Sequence, residues 1–586
     1  MMVKKRSTSD AVHAAAWKNK MFAFFFLIVF SCAFGLMSVA SLIQHQDLAH
    51  LRHASDNSVD ATANLRGNHN VEAYAATSNN DPATTPAPSA TPAPGPTEKL
   101  SVAARRAMLG DDLSQFECVA WRRTGGCSPD GAIEEQETKK CDEPIPDGIS
   151  GFCEVRHKES GEIKHVLRMH CDSLRPGVLF KCADFKEMLE YGRKAPLYEH
   201  DASFSYDKCQ QELVNDQTVA GVGDKATTDR DTALTVVSPT QNAASFYKRG
   251  IALVVYEKLF ESVFASIRSM REMGCTLPIE LWYIASETNV SHPILQTLTR
   301  EYGAYLREIK DSRASKFYTK IYAVFYSAFD QVLLLDSDNF AVRDPTFLFE
   351  TKEFTDTGAL FWPDFWRAKK TIFNIQPRSF VWDVFDLDFV DMFEQESGQV
   401  MIDRRRHLKA MNAMMYYAFH PQLVERLRLV WGDKDLFRFA WMKTKSSFHM
   451  IETPPGAAGR KLSDKNVFCG VTMVQHDPSH EIVFLHRNQE KLSSANHRLV
   501  WEHVQEFKMD SVSIEEYDVR GANGGRYYPD YKRCYGKDIY YESAFTVTPI
   551  AEMPFANLES KLLEFAKEAA TISGTAVTPT PEAPTN

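Results

Sequence analysis

A basic surplus is missing from this chain of 586 residues: 67 Lys and Arg stand against 77 Asp and Glu, a formal net charge of −10. Without it there is no electrostatic footprint for nucleic acid, and that class of partner is excluded. The first strand-to-helix turn of the α/β region, after Ile251–Tyr256, has neither G-x-G-x-x-G nor a Walker A sequence. That argues against a dinucleotide enzyme and a P-loop ATPase. No C-x-x-C pair occurs, and His170-Cys171 lacks ligand spacing, so the cysteines do not spell out a zinc site.

What is present begins with one long apolar run, Met21–Ile43, uncharged and long enough to span a bilayer. Lys4, Lys5, Arg6, Lys18 and Lys20 precede it, and Asp47 and His50 follow. The positive-inside rule then predicts a cytoplasmic tail (1–20), a transmembrane signal anchor (21–43) and a lumenal remainder, a single-pass type II arrangement. The alternative is a cleaved signal peptide ending near Ser38-Val39-Ala40, which the length of the run opposes. A polar stem (44–113) follows, Pro/Thr-rich and extended at 81–97. Cys118, Cys127, Cys141, Cys153, Cys171, Cys182 and Cys209 crowd the next stretch (114–211), and in a lumenal chain such density reads as a disulfide module. Seven is odd, so one of them is expected to pair with Cys275, Cys469 or Cys534. Trp121 and Phe152 there read as core, or alternatively as a small binding face with Arg122 and Arg123. A polar linker (212–244) leads to a large domain (245–550) and a C-terminal segment (551–586) ending in a disordered tail. Asn289-Val290-Ser291 is an N-glycosylation acceptor.

From Ser245 the pattern becomes strand, helix, strand, helix. Ile251–Tyr256 and Ile279–Ala285 read as buried strands, with helical spacing from Leu259 to Met270 and from His292 to Tyr302. Tyr305–Ile309 reads as a third strand, and Phe317–Phe329 as a helix feeding the strand Val332–Leu335. This rhythm predicts an α/β fold with a parallel sheet. Asp336-Ser337-Asp338 leaves the last strand at its carboxyl end, where ligands bind in open α/β sheets. Two carboxylates there suit a hard divalent ion that in turn holds a phosphate. The plain alternative is a pair of Asx-turns. Leu360–Phe385 reads as aromatic loop, Gly398–Asp403 as a strand, His407–Phe419 as a helix and Glu481–His486 as a strand.

The block KIYAVFYSAFDQVLLLDSDNFAVRDP, from Lys320, resembles the signature of GT-A-fold nucleotide-sugar glycosyltransferases. Within them it is most similar to the fungal Golgi α-1,3- and α-1,2-mannosyltransferases that use GDP-mannose. The likeness covers Ser245 to about Val500. It implies a Golgi enzyme that transfers mannose, with retention and metal assistance, to a mannose hydroxyl of a protein- or lipid-linked glycan, with Asp338 bridging the ion to the diphosphate and Asp336 on the ion or the ribose. Lys320 matches the lysine of a K-x-x-A pattern, with a solvated helix lysine as the alternative. His486-Arg487-Asn488-Gln489-Glu490-Lys491 is similar to an H-x-G-x-x-K motif, with Asn488 where the glycine stands. That likeness makes His486 the third metal ligand, or else a hydrogen-bonded strand-end residue, and sets Lys491 on the diphosphate. Two carboxylates and an imidazole suit Mn²⁺ better than Ca²⁺.

Glu396-Ser397-Gly398-Gln399 resembles the family segment in which a glycine opens a strand beside the donor sugar. Glu396 and Gln399 are therefore candidates near the reacting carbon, with a loop charge as the alternative for Glu396. Asp433 and Asp435 are placed like a D-Q-D motif, with Lys434 where Gln would be; as plain residues they would form a helix N-cap pair. Trp362, Asp364 and Trp366 read as an acceptor-gripping loop, or for the Trp residues as core. The rival functions are a UDP-sugar-dependent hexosyl- or N-acetylhexosaminyl-transferase and a non-catalytic lumenal glycan-binding protein.

Overall fold

The computed structural model describes residues 99–219, 243–462, 467–495, 498–509, 514–521, 528, 531–537 and 544–574. The tail, the anchor Met21–Ile43, stem residues 44–98, most of the linker and the terminal tail lie outside the described residues, while the described end of the stem carries a helix, Val102–Leu109. Among the described residues no helix is long and apolar enough to cross a membrane.

The cysteine-rich module is a three-stranded antiparallel sheet, β1 (Phe116–Thr124), β2 (Ser150–His157) and β3 (Ile163–Met169), in that order. Its disulfides are Cys118–Cys141, Cys127–Cys171 and Cys153–Cys182. The expected cross-pairing of the seventh cysteine does not occur. Cys469 bonds Cys534, whereas Cys209 and Cys275 are buried thiols. Cys209 sits instead against the Arg404 guanidinium, Nη2 to Sγ 3.9 Å. Trp121 is fully enclosed, with its ring edge-on to Phe180, so it is core and not a binding face.

Helix α1 (Phe185–Lys194) fastens the module to the rest of the protein. A Cβ on its Gly192 would lie 2.1 Å from the carbonyl carbon of Phe385, so only glycine permits this backbone approach. Phe180 meets Phe380 edge-on at 5.2 Å and Tyr191 stacks on Tyr417 at 5.7 Å, which makes the apolar core continuous across the junction. Helix α2 (Tyr206–Val219) follows.

The large domain holds a seven-stranded mixed sheet. Strands β4 (Arg249–Val254), β5 (Ile279–Tyr283), β6 (Ala304–Glu308) and β7 (Gln331–Leu335) are parallel, with helices α3 (Phe260–Glu272), α4 (Pro293–Glu301) and α5 (Tyr318–Tyr326) in the crossovers. The α/β expectation holds here because the central strands β4 and β7 carry the apolar runs Ile251–Val254 and Val332–Leu335, almost wholly buried as parallel strands must be.

Beyond β7 comes the short β8 (Asn339–Ala341). Then β9 (Ala359–Arg367) and β10 (Phe393–Asp403) extend the sheet antiparallel on the other side of β7. The aromatic stretch expected to be loop thus begins as strand, as far as Arg367, and is irregular from there to a short helix, Val381–Val384. All nine residues of β9 are buried, so no alternation marks it, and Pro363 sits where its register with β10 slips, as a strand proline should. The strand expected from Gly398 begins at Phe393, which moves Glu396 out of a loop and sets Gly398 inside the strand.

Helices α6 (Leu408–Phe419) and α7 (Leu436–Thr444) follow. The two-residue β11 (His449–Met450) completes the sheet order β11-β9-β10-β7-β4-β5-β6. A second, antiparallel sheet adds β12 (Gly456–Leu462), β13 (Val467–His476), β14 (Ile482–His486), β15 (His503–Phe507) and β16 (Phe545–Pro549), in the order β8-β14-β13-β12-β15-β16. Helix α8 (Leu558–Ser573) lies along α3, with the Arg268 guanidinium 4.4 Å over the Phe565 ring.

Candidate active site at the strand ends

The turn after β7 is fixed by its backbone and its serine. Asn339 N donates to Asp336 O at 3.0 Å, and Asp336 N donates to Gly398 O of β10 at 2.8 Å. Ser337 Oγ donates to Val254 O at the end of β4 (2.6 Å), and Ser262 Oγ of α3 donates to Ser337 O (2.7 Å). Among the described residues neither Asp336 nor Asp338 accepts a backbone N–H, so these carboxylates do not form the Asx-turns offered as an alternative.

The short pairing of β8 with β14 sets Asn339 opposite His486. His486 Nε2 therefore lies 3.3 Å from Asp338 Oδ1 and 3.8 Å from Asp336 Oδ2. One donor atom from each of the three lies within 4.8 Å of the others. Gly398 makes room for this, since a Cβ there would stand 2.6 Å from His486 Nδ1.

Two lysines border the cluster. Lys320 Nζ reaches both oxygens of Asp336, at 2.8 and 2.9 Å, and lies 3.6 Å from Asp433 Oδ2. Burial works against its charge, but Asp336 and Asp433 outweigh burial and raise its pKa above the ordinary lysine value. Burial likewise opposes ionisation of Asp336, yet Lys320 and His486 hold it below the usual carboxylate range. Lys491 contacts Asp338; its side chain is half-exposed, yet desolvation of the ammonium lowers its pKa to about 8. Asp433 is pushed up to about 6, by burial first, with Lys320 opposing.

The other candidates divide. Glu396 folds back on its own strand, Oε1 accepting from Ser397 N (3.0 Å) and Gly398 N (2.8 Å) and lying 3.9 Å from His486 Nδ1. Gln399 Oε1 accepts from Asn339 Nδ2 at 2.6 Å. Asp435 stands at the N-cap position of α7 in a left-handed conformation (φ 64°) but caps nothing. Its Oδ1 accepts from Gln395 N (2.9 Å) and Arg438 Nε (2.5 Å), a fully buried structural contact.

Asp364 contacts the largely buried Lys434, which also lies 3.9 Å from Glu396 Oε2. Trp362 does not line an acceptor groove. It is fully enclosed, its Nε1 donates to His476 O at 2.8 Å, and its ring meets Phe484 edge-on. Trp366 is largely buried beside Phe365. Asn289 is exposed on a turn, clear of the cluster's elements.

Four supporting residues were missed from the sequence: Ser262, Asn339, Arg487 and Glu559. Asn339 alone carried a signal, as the polar residue directly after the acidic pair.

Asp433 Oδ2, Gln399 Nε2 and His486 Nδ1 are buried with no hydrogen-bond partner among the described residues. Buried polar atoms left in this state call for a partner, which water, an ion or a ligand can supply. Two carboxylate oxygens and an imidazole nitrogen also match the donor set that first-row divalent ions take. Together these features define an α/β protein with a candidate site for a divalent ion at the carboxyl ends of its parallel strands.

Residues 248–477 match the mannosyltransferase family model Mannosyl_trans3. Similar curated proteins include the α-1,2-mannosyltransferase MNN2 of Saccharomyces cerevisiae, 29% identical over 287 residues, 42% of this chain and 47% of that one. The α-1,2-mannosyltransferase MNN5 of the same yeast is 23% identical over 355 residues, 50% of this chain and 60% of that one. The chain thus spans about half the length of the curated relatives it matches. Among solved structures, the mannosyltransferase Ktr4p of S. cerevisiae overlays 45% of this chain and 84% of its own with a TM-score of 0.26 and 13% identity, too loosely to carry argument. His486 and Lys491 lie beyond the matched residues.

Proposed function

We propose that this protein is a retaining α-mannosyltransferase of GT-A type, moving mannose from GDP-mannose to the 2-hydroxyl of a mannose on a glycan, with Mn²⁺ as its ion. The observation that carries the reading is the convergence of Asp336, Asp338 and His486 from two sheets, in a chain whose residues 248–477 match a mannosyltransferase family model. The 2-hydroxyl is taken from the printed activity of the relatives.

In the reaction the bond from the anomeric carbon to the diphosphate oxygen breaks, and a bond to the acceptor oxygen forms on the same face. The acceptor hydroxyl loses its proton, and GDP leaves. A bound divalent ion would offset the charge that develops on the diphosphate; Asp336, Asp338 and His486 would hold it. Lys491, half-exposed at the rim, contacts Asp338 and is suited to reach the diphosphate, while Lys320 keeps Asp336 and Asp433 side by side. Asp433, buried with its Oδ2 near Lys320 but in no hydrogen bond among the described residues, is suited to receive the acceptor's proton. Glu396 and the Lys434–Asp364 pair form the sugar-facing wall.

We place the protein in the Golgi membrane as a single-pass type II protein with its catalytic part lumenal. Support comes from the run Met21–Ile43 and its flanking lysines, and from four disulfides, which persist in oxidising compartments.

The test is nucleotide release by the purified full-length chain with GDP-mannose or UDP-sugars, with Mn²⁺ or EDTA, beside Asp338→Ala. GDP release that needs Mn²⁺ and is lost in Asp338→Ala is expected. Turnover of a UDP-sugar alone would overturn the donor, and no turnover of any donor would favour a non-catalytic glycan-binding protein.

A further inference from the structure

The third ligand, His486, is the last residue of β14, and strand ends fray unless something beyond them is tied down. The next residue, Arg487, is fully buried, as few arginines are without a partner. Its backbone N donates to Asp338 O at 2.9 Å, joining the two halves of the cluster. Its guanidinium is fixed by Glu490 O (Nε, 2.5 Å) and by Glu559 Oε1 of helix α8 (Nη1, 3.0 Å).

Glu559 is itself buried, and it accepts from Val500 N (2.9 Å) and Trp501 N (2.9 Å) as well. The same helix packs along α3, which also holds the acidic turn through Ser262. Helix α8 therefore touches the supports of both halves of the cluster while lying outside the matched residues 248–477.

We propose that Glu559 is a positioning residue for the metal site: through Arg487 it holds His486 at the distance from Asp336 and Asp338 that a divalent ion requires. The inference rests on the metal reading of this site. Outer partners that orient a metal ligand typically contribute 10- to 100-fold in affinity. A brace that served only the fold would change melting without changing affinity.

The experiment measures Mn²⁺ affinity by electron paramagnetic resonance on the full-length chain, with melting of the ion-free protein recorded alongside. The proteins are wild type, Asp338→Asn, Glu559→Gln, Glu559→Asp and Arg487→Lys. Wild type is expected to bind one Mn²⁺ that Asp338→Asn does not. Glu559→Gln should bind about tenfold more weakly at a temperature where it is fully folded, with Glu559→Asp recovering part of the loss. Should Glu559→Gln fail to fold, Arg487→Lys, which keeps the charge but loses the fork of bonds, carries the comparison. Unchanged affinity in the folded variants overturns the brace while leaving the metal reading intact. A wild-type chain that takes up no Mn²⁺ overturns that reading and the brace together.

Discussion

At the scale of single residues, Gly398 is the most exposed to test. The space a methyl group would take is filled by the His486 ring, and the loss of glycine's torsional freedom is not the issue. Gly398→Ala is expected to displace that ring, lowering Mn²⁺ affinity about tenfold or more, as loss of ligand orientation does. The cost to stability should be about 1–3 kcal/mol for the overpacking. Titration with Mn²⁺ and urea denaturation check the two parts. This demand was legible in the sequence only as a glycine between Ser397 and Gln399. The acidic pair itself was legible because a buried strand runs straight into it, and His486 because a lysine follows five residues on. Trp362 was misplaced: an aromatic residue beside a carboxylate reads alike whether it grips a sugar or fills a core. Only the Nε1 bond to a strand carbonyl decided it.

His170 gives a second residue-scale prediction. Its ring is buried with neither nitrogen bonded among the described residues, and burial, helped by Arg378, pushes its pKa down to about 4. The folded protein therefore holds a neutral imidazole where the unfolded chain titrates near 6.5. Stability from this group is complete above about pH 6.5 and is lost as pH falls toward 4, because only the unfolded chain takes up the proton. The wild-type advantage over His170→Gln should shrink by at most about 1.4 kcal/mol per pH unit between pH 6.5 and 4. Urea denaturation at pH 7, 6 and 5 measures it, and an advantage that stays constant with pH would refute it.

At the scale of elements, α1 is the joint between the cysteine-rich module and the large domain. Gly192→Ala pushes a methyl group into the carbonyl of Phe385, which is backbone and cannot rotate away. The expected loss is about 1–3 kcal/mol, read by denaturation, while the three module disulfides still form on mapping. Sequence rhythm found β4 to β7 and their helices within a few residues, because parallel strands and amphipathic helices carry opposite periods. It missed β12 and β13. Gly456-Ala457-Ala458-Gly459 offers almost no side chain to show a period, and β13 is buried along nearly its whole length. It also left α8 in a terminal segment, although Leu558, Leu562, Phe565, Ala566 and Ala569 form its buried face.

At the scale of the whole molecule, the sequence drew a boundary at the end of the cysteine-rich stretch that the packing does not respect. Trp121, Phe180 and Phe185 of the module belong to the same apolar core as Phe380, Phe385 and Tyr417. A core that continuous gives neither part a separate melting step. Calorimetry of the oxidised protein should show the two melting in one endotherm, and two resolved endotherms assigned to module and domain would refute this.

Helix α8 has a consequence for how the protein is made. The ribosome delivers the acidic turn, then the histidine, and only afterwards the helix that leans on both. A nascent polypeptide stalled before Leu558 would own every residue of the cluster and still lack the clasp that holds it shut, so competence arrives late in translation.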